Sequence, residues 1–131
     1  MKFNSVLIGS EDPQRLKDYY TKLFGKPTLE EGGYFGWSLG GGAITFGPHT
    51  EVMGKNREPG RIILNIESSD VKGDFEKLRS AGASVVREPY SLGEGGEYLI
   101  ATLTDPDNNY FQLVSPIEIP EQGRQEAAAA R

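Results

Sequence analysis

The pattern of the first 48 residues returns in the second half of the chain, and this repeat limits the possible folds more than any other feature. Residues 3–9 combine β-branched and apolar side chains, which predicts a strand. Asp12 can cap the helix that follows, Pro13 suits its first position, and Gly25 is placed to end it. Three short strands separated by glycine turns are predicted next, at residues 28–31, 34–39 and 43–47.

The same order restarts after a polar segment at 49–60. A strand is predicted at 61–67, Asp70 is placed to cap a second helix, and Gly82 to end it. The distance from the cap to the glycine is 13 positions in the first half and 12 in the second. Three more strands are predicted at residues 84–87, 97–104 and 110–115.

The agreement of element order, caps and lengths predicts two tandem βαβββ modules rather than an accidental alternation of helices and strands. We expect an α+β fold in which the modules form a paired, incompletely closed barrel-like sheet around a cleft. A chain of 131 residues suits one domain. The expected boundaries are a single domain at 1–116, with module one at 1–48, a linker at 49–60 and module two at 61–116, followed by a polar C-terminal tail at 117–131.

Composition and charge exclude several classes of partner. The chain contains no cysteine, which excludes disulfides, a thiolate nucleophile and sulfur-ligated metals. The net charge is -5, whereas a protein that binds nucleic acid normally carries a basic face. No apolar run reaches the ~20 residues of a membrane span, and the first residues lack the pattern of a secretory signal. We therefore expect a soluble cytoplasmic protein that binds neither nucleic acid nor membrane.

Three segments, at 5–25, 63–82 and 105–116, resemble one known superfamily in their order and spacing. The last of them, DPDNNYFQLVSP, is similar to that family's DPDGN turn and the strand after it. The chain thus resembles the vicinal oxygen chelate superfamily, which includes glyoxalases, extradiol dioxygenases and bleomycin-resistance proteins. The resemblance implies a small-molecule cleft between the modules, and a homodimer.

The resemblance also implies positions for a divalent metal, since family enzymes hold one with histidines on the first strands and carboxylates on the last. In this sequence the two histidine positions fall on Ser5 and Ile63, and the carboxylate positions fall on Thr45 and Gln112. Such neutral side chains lack the imidazole and carboxylate donors that transition metals prefer. We therefore expect no catalytic metal at the family site and no cofactor.

Side-chain alternation along the strands predicts which residues face the cleft. The apolar partners of these residues, such as Ile44 and Phe46, are assigned to the faces under the helices. Trp37 and Tyr90 are candidate aromatic walls, although Trp37 is equally well explained as a core residue. The set predicted for the cleft is uncharged and consists of Ser5, Leu7, Thr45, Ile63, Asn65, Tyr98, Ile100, Thr102, Tyr110 and Gln112.

Two further features can be interpreted either as functional or as ordinary parts of loops. His49, the sole histidine, is either a displaced ligand or base at the cleft rim or, as we favour, an exposed loop residue. The glycine-rich segment 91–96 is either a mobile flap over the cleft or a hairpin loop, and the loop is slightly favoured.

Three functions stay open. An uncharged, partly aromatic cleft without metal ligands favours a protein that sequesters, carries or confers resistance to a small organic molecule of aromatic or amphiphilic character. A metal-dependent lyase, isomerase or dioxygenase would need His49 and a carboxylate such as Glu51, Glu94 or Glu97 to converge. A metal-free enzyme would use a tyrosine or glutamate as acid or base. The sequence identifies no catalytic residue, so whether the protein is an enzyme is left undecided.

Overall fold

A computed structural model describes residues 1–117 of the chain. The tail predicted at 117–131 lies, after its first residue, outside the described residues. Neither of the two helices in the described part is long and apolar enough to cross a membrane.

Module one begins with a capped helix between its first two strands. The Asp12 side chain accepts a hydrogen bond from the backbone N–H of Arg15 at 3.3 Å, which confirms the predicted cap. Gly25 follows the helix with φ of 82°, a left-handed conformation that favours glycine. The elements are β1 (Ser5–Ser10), α1 (Pro13–Phe24), β2 (Leu29–Glu31), β3 (Tyr34–Leu39) and β4 (Gly42–Pro48).

Module two repeats this order. The Asp70 side chain caps its helix by accepting from the backbone N–H of Gly73 at 3.1 Å. The elements are β5 (Leu64–Glu67), α2 (Val71–Ser80), β6 (Ser84–Leu92), β7 (Tyr98–Thr104) and β8 (Tyr110–Val114).

Two predicted boundaries in module two were wrong. β5 begins at Leu64 rather than Arg61, and Leu64, opposite Phe111, is its first residue paired with β8. Ile63 therefore precedes the strand.

β6 was predicted to stop at Arg87, but it continues for nine residues in total. Pro89 interrupts the strand pattern in the sequence, yet β6 is an edge strand with irregular pairing to β7, where a missing backbone donor is tolerated. Tyr90 consequently lies within β6 instead of at the start of a loop. Segment 91–96, for which a hairpin loop was slightly favoured over a mobile flap, is the end of this strand and a hairpin turn.

Each module forms its own four-stranded sheet, in the order β1-β4-β3-β2 and β5-β8-β7-β6. The first strand pairs parallel with the last strand of its module, and the other pairings are antiparallel. These two sheets confirm the predicted pair of βαβββ modules, and they do not close into a barrel. β1 and β5 have a partner on one side only, so each keeps a free edge.

One hydrophobic core joins the two modules. α1 and α2 cover the apolar face of each sheet, and the strand residues assigned to that face, among them Phe46 and Phe111, are buried in the core. The ring of Tyr20 on α1 lies 4.7 Å from the ring of Phe46 and 5.8 Å from that of Phe111, measured between centroids. Tyr20 therefore packs against both sheets, and the modules share this apolar contact.

A buried carboxylate adds a polar connection at the same place. Asp105, in the turn between β7 and β8, accepts a hydrogen bond from the Tyr20 hydroxyl at 2.7 Å. Its oxygens also accept the backbone N–H groups of Asp107 and Asn109, each at 2.9 Å, and the side-chain amide of Asn109 at 3.0 Å. These bonds offset much of the desolvation cost of Asp105 and fix the turn against α1.

Asp107 makes the second polar connection between the modules. Its Oδ1 accepts from the Arg15 guanidinium at 2.6 Å, and its Oδ2 accepts from the Ser10 hydroxyl at 2.5 Å. The Asp107 side chain is only 4% exposed, so its charge depends on these two donors from module one.

Burial raises the pKa of Asp105, and hydrogen bonds from Tyr20 and Asn109 oppose that rise. Burial also raises the pKa of Tyr20 well above its ordinary value, so its hydroxyl stays a donor at neutral pH. Because the folded-state pKa of Asp105 is raised, ionisation of this carboxyl costs stability as the pH rises through that pKa. The Tyr20 hydroxyl reduces this cost.

Replacing Tyr20 with phenylalanine is expected to lower the free energy of unfolding at neutral pH by about 1–3 kcal/mol, the usual effect of removing one hydrogen bond to a buried charged group. The pKa of Asp105 should rise further in the variant. The loss is therefore largest above both folded-state pKa values and shrinks where Asp105 is protonated in both proteins. Urea unfolding from acidic to neutral pH measures it. Tyr34→Phe is the control, since Tyr34 is 44% exposed. A loss that does not vary with pH would contradict this account.

Candidate functional site

A cleft of about 470 Å³ lies where the two modules and their linker meet. We call it the junction cleft. Its walls are residues 6–9 of β1 and residues 51–57 of the linker, together with Ile62 and Leu64 at the entry to β5 and Asp107, Asn109 and Tyr110 from the turn into β8. The volume is within the range of small-molecule sites.

The free edges of the two sheets form the sides of the junction cleft. Four consecutive residues of β1, from Val6 to Gly9, line it, and neighbours on a strand point to opposite faces of a sheet. The lining therefore follows the edge of the strand rather than one of its faces. Ile62 and Leu64 provide the opposite side, where β5 begins.

Much of the lining is apolar and exposed. Leu7 is 54% exposed, Ile62 69% and Met53 83%. Tyr110 adds a half-buried aromatic ring. An exposed apolar group of this kind, grouped in a concave place, is typical of a binding surface.

The linker is held on the turn between β7 and β8 by hydrogen bonds centred on Asn56. The backbone N–H of Asn56 donates to the Asp107 carbonyl at 2.7 Å, and its side-chain amide donates to Asn109 Oδ1 at 3.1 Å. In return, the side chain of Asn108 donates to the Asn56 carbonyl at 2.9 Å. Residue 56 is thus fixed from both its backbone and its side chain, although it lies in a segment without regular secondary structure.

Asn108 has φ of 63°, the one left-handed conformation among the non-glycine residues of the described chain. Asparagine tolerates this conformation better than most residues. It occupies the glycine position of the DPDGN pattern that the sequence resembles. Unlike glycine, it has a side chain, and that side chain holds the linker.

A glycine on β1 allows the linker to approach closely. A Cβ atom at Gly9 would lie 3.0 Å from Val52 Cγ2 and 3.0 Å from His49 Cβ. These distances are shorter than ordinary contacts, so any larger residue would push the linker away from the strand.

The junction cleft has charged residues in its lining, unlike the uncharged set predicted for the strand faces. Glu51, Lys55 and Arg57 of the linker line the cleft, as does Asp107. The Asp107 carboxylate is occupied by Arg15 and Ser10 and is almost fully buried. The predicted set considered only the strand faces and treated residues 49–60 as a connection, and it stays a prediction.

Two of the twelve predicted lining residues, Leu7 and Tyr110, are in the junction cleft. The others do not line it. Gln112 is half-buried and donates to the Thr102 hydroxyl at 3.1 Å on the sheet face opposite the helices. Ile100 and Thr102 are 9% and 7% exposed and present little surface to a ligand. The remaining positions, partly or fully exposed and outside this cleft, are Ser5, Thr45, Ile63, Asn65 and Tyr98.

The two candidate aromatic walls lie elsewhere. Trp37 is 2% exposed, packs against Tyr20 and Phe35, and donates its indole N–H to the Gly25 carbonyl at 2.9 Å. It is a core residue, because β3 directs this side chain toward α1. Tyr90 is half-buried on β6, where the Arg87 guanidinium lies 3.5 Å above its ring centroid.

The residues at the family's metal positions do not fit a transition metal. The Thr45 hydroxyl donates to the Val6 carbonyl at 3.0 Å, Gln112 is bonded to Thr102, and Ser5 and Ile63 supply neither charge nor imidazole. Within residues 1–117, no three His, Asp or Glu side chains come together in a group that could hold a metal ion.

His49 lies in the exposed loop after β4, where its Nδ1 accepts from the backbone N–H of Glu51 at 3.2 Å. This contact is local to the loop. It does not bring the two side chains together as a metal site.

The fold and this site define a protein of the glyoxalase-like class, with paired βαβββ modules and a cleft at their junction. The family model described as Glyoxalase/Bleomycin resistance protein/Dioxygenase superfamily matches residues 2–113, and the chain belongs to this family.

Relatives and solved structures agree with this assignment. A lactoylglutathione lyase of Arabidopsis thaliana is 28% identical over 92% of this chain, and a putative lactoylglutathione lyase of Brassica oleracea is equally similar. The chain spans about half the length of these relatives, 46% in each.

Among solved structures, a glyoxalase-related enzyme from Fulvimarina pelagi has a TM-score of 0.68 at 17% identity, covering 88% of each chain. A glyoxalase/bleomycin resistance protein/dioxygenase family enzyme from Burkholderia phytofirmans has a TM-score of 0.66 at 21% identity, covering 87% of this chain and 98% of its own. Both share the fold.

Replacing Asn108 with glycine is expected to keep the turn, since glycine accepts the same φ, but to remove the hydrogen bond that holds the Asn56 carbonyl. Hydrogen exchange at the amides of residues 52–57 should become faster, by about fivefold if one hydrogen bond of about 1 kcal/mol is lost. Asn4→Gly, at an exposed position outside the cleft, is the control. Unchanged exchange in this segment would show that the linker is held by other contacts.

Proposed function

We propose that this protein binds a small organic molecule in the junction cleft, without a metal at the family site, in a sequestration, resistance or carrier role. The observation that carries the proposal is the exposed apolar lining of a cleft large enough for such a molecule. Leu7, Met53 and Ile62 keep more than half of their surface in contact with water. A ligand that covered them would gain about 25 cal/mol for each Å² of apolar surface removed from water.

The donor chemistry of the family positions supports a mechanism without metal. Ser5, Thr45, Ile63 and Gln112 offer only neutral groups, and two of them already use their polar atoms within the protein. Binding then rests on apolar contact, the Tyr110 ring and the polar groups of the linker.

A metal-dependent lyase, isomerase or dioxygenase is the second candidate. The 28% identity with lactoylglutathione lyases over 92% of the chain favours it. It would require ligands at positions other than those of the family, since the chain supplies no imidazole or carboxylate there. Formation of a homodimer, which the family resemblance implies, stays a prediction.

A ligand screen in the presence and absence of a chelator separates the two candidates. We expect aromatic and amphiphilic compounds to shift the amide resonances of Leu7, Tyr110 and the linker in ¹H–¹⁵N spectra, with the same dissociation constants in EDTA as in added Zn²⁺ or Mn²⁺. Ligands that bind only when a divalent ion is supplied would replace this proposal with the metal-dependent one.

Replacing Leu7 with alanine is expected to weaken a ligand found in this way by about tenfold, because the loss of apolar contact in a binding pocket typically costs about 1–3 kcal/mol. The matched control is Leu29→Ala. Leu29 is 46% exposed and lies in the same lateral row of the sheet as Leu7, but on β2 and outside the cleft. Isothermal titration calorimetry measures both. An equal loss in the two variants would place the ligand on the open face of this sheet instead.

A further inference from the structure

We propose that the junction cleft selects organic anions, with Lys55 and Arg57 as a cationic pair that binds the carboxylate, phosphate or sulfonate group of the ligand. The apolar body of that ligand lies against Leu7, Ile62 and Tyr110. This inference rests on the proposed function and adds the chemical class of the ligand.

The position of the pair is fixed by the residue between its members. Asn56 is bonded to the turn between β7 and β8 through its N–H, its carbonyl and its side chain. Lys55 and Arg57 are its direct neighbours, and both line the cleft. Their backbone positions are therefore held next to the apolar lining, while their side chains remain exposed and free to reach a ligand.

The charges of the pair are not neutralised within residues 1–117, where neither Lys55 nor Arg57 takes part in an ion pair. The neighbouring Arg61, by contrast, is bound to Glu58 at 2.6 Å. Arg15 is likewise engaged with Asp107.

The acidic residues of the cleft do not neutralise the positive charge of Lys55 and Arg57. The Asp107 carboxylate is used by Arg15 and Ser10 inside the protein. Glu51 is exposed at the start of the lining segment, so the lining residues 51–57 carry an excess of one positive charge. The whole chain carries -5, so this local positive charge differs in sign from the protein as a whole. An anion therefore gains attraction only near the pair, and the effect is screened by salt.

The residue types suit this ligand class. A guanidinium can donate two parallel hydrogen bonds to a carboxylate, phosphate or sulfonate, and an ammonium adds a compact charge with three donors. Apolar contact on one side and cations on the other would bind an amphiphilic acid at both ends. A neutral molecule of the same shape would use only the apolar side.

Two fluorescent probes that differ by one group test this selectivity. 8-Anilinonaphthalene-1-sulfonate has an aromatic body and a sulfonate, and N-phenyl-1-naphthylamine is the same body without the sulfonate. Fluorescence titrations with both probes at low and at moderate salt compare the unmodified protein with the double variant Lys55→Gln, Arg57→Gln. The matched control is Lys26→Gln, Lys72→Gln, which removes the same charge from exposed positions outside the cleft.

We expect the double variant to weaken binding of the sulfonate probe by about tenfold at low salt, less at higher salt, and to change binding of the uncharged probe by less than about twofold. The control should change neither probe. The single variant Arg57→Lys, in which Lys55 is intact, should keep most of the affinity for the sulfonate probe that the double variant loses.

Three results would overturn the proposal in distinguishable ways. Equal weakening of both probes would mean that the pair acts through the shape of the linker and not through charge. Loss of sulfonate binding in the control as well would assign the effect to net charge. If neither probe binds the unmodified protein, or if Leu7→Ala affects neither, the proposed function fails together with this inference.

Discussion

The contact between α1 and the turn that joins β7 to β8 determines where every other part of the site lies. Tyr20 packs against both sheets and donates to Asp105, while Arg15 and Ser10 bind Asp107. Buried carboxylates are costly unless their hydrogen bonds are complete, and half of the donors here come from the other module. The geometry of the module interface is therefore specified by directional bonds and not by apolar contact alone.

The junction cleft follows from this arrangement. β1 and β5 each pair on one side only, so each has a free edge. Both free edges lie near the contact between the two modules. The same turn that accepts Tyr20 and Arg15 from module one also holds Asn56 of the linker, so it positions a wall of the cleft as well as the interface. One five-residue turn thus links the stability of the fold to the shape of the site.

The lining of the junction cleft differs in chemical type from the side chains at the positions carried over from the family. The positions carried over from the family hold neutral side chains, two of which, Thr45 and Gln112, are hydrogen-bonded within the sheets, whereas the junction cleft is lined by apolar residues and the cations of the linker. Association by apolar contact and charge requires neither an ion nor a nucleophile. The similarity to lactoylglutathione lyases accompanies a shared fold, and a fold does not by itself determine a reaction.

The sequence alone determined the repeated order of elements, both helix caps and the strand faces that pack under the helices, because these depend on local propensity and on side-chain periodicity. It also determined the absence of family metal donors, since this follows from residue identity. Tertiary structure alone decided the site. The twelve predicted lining residues assumed a ligand between two sheet faces, but the cleft lies between two edges, and its charged wall comes from a segment without periodicity. Hydrogen bonds between Asn56 and residues about 50 positions later in the chain hold Lys55 and Arg57 next to the cleft. No local sequence pattern encodes these bonds.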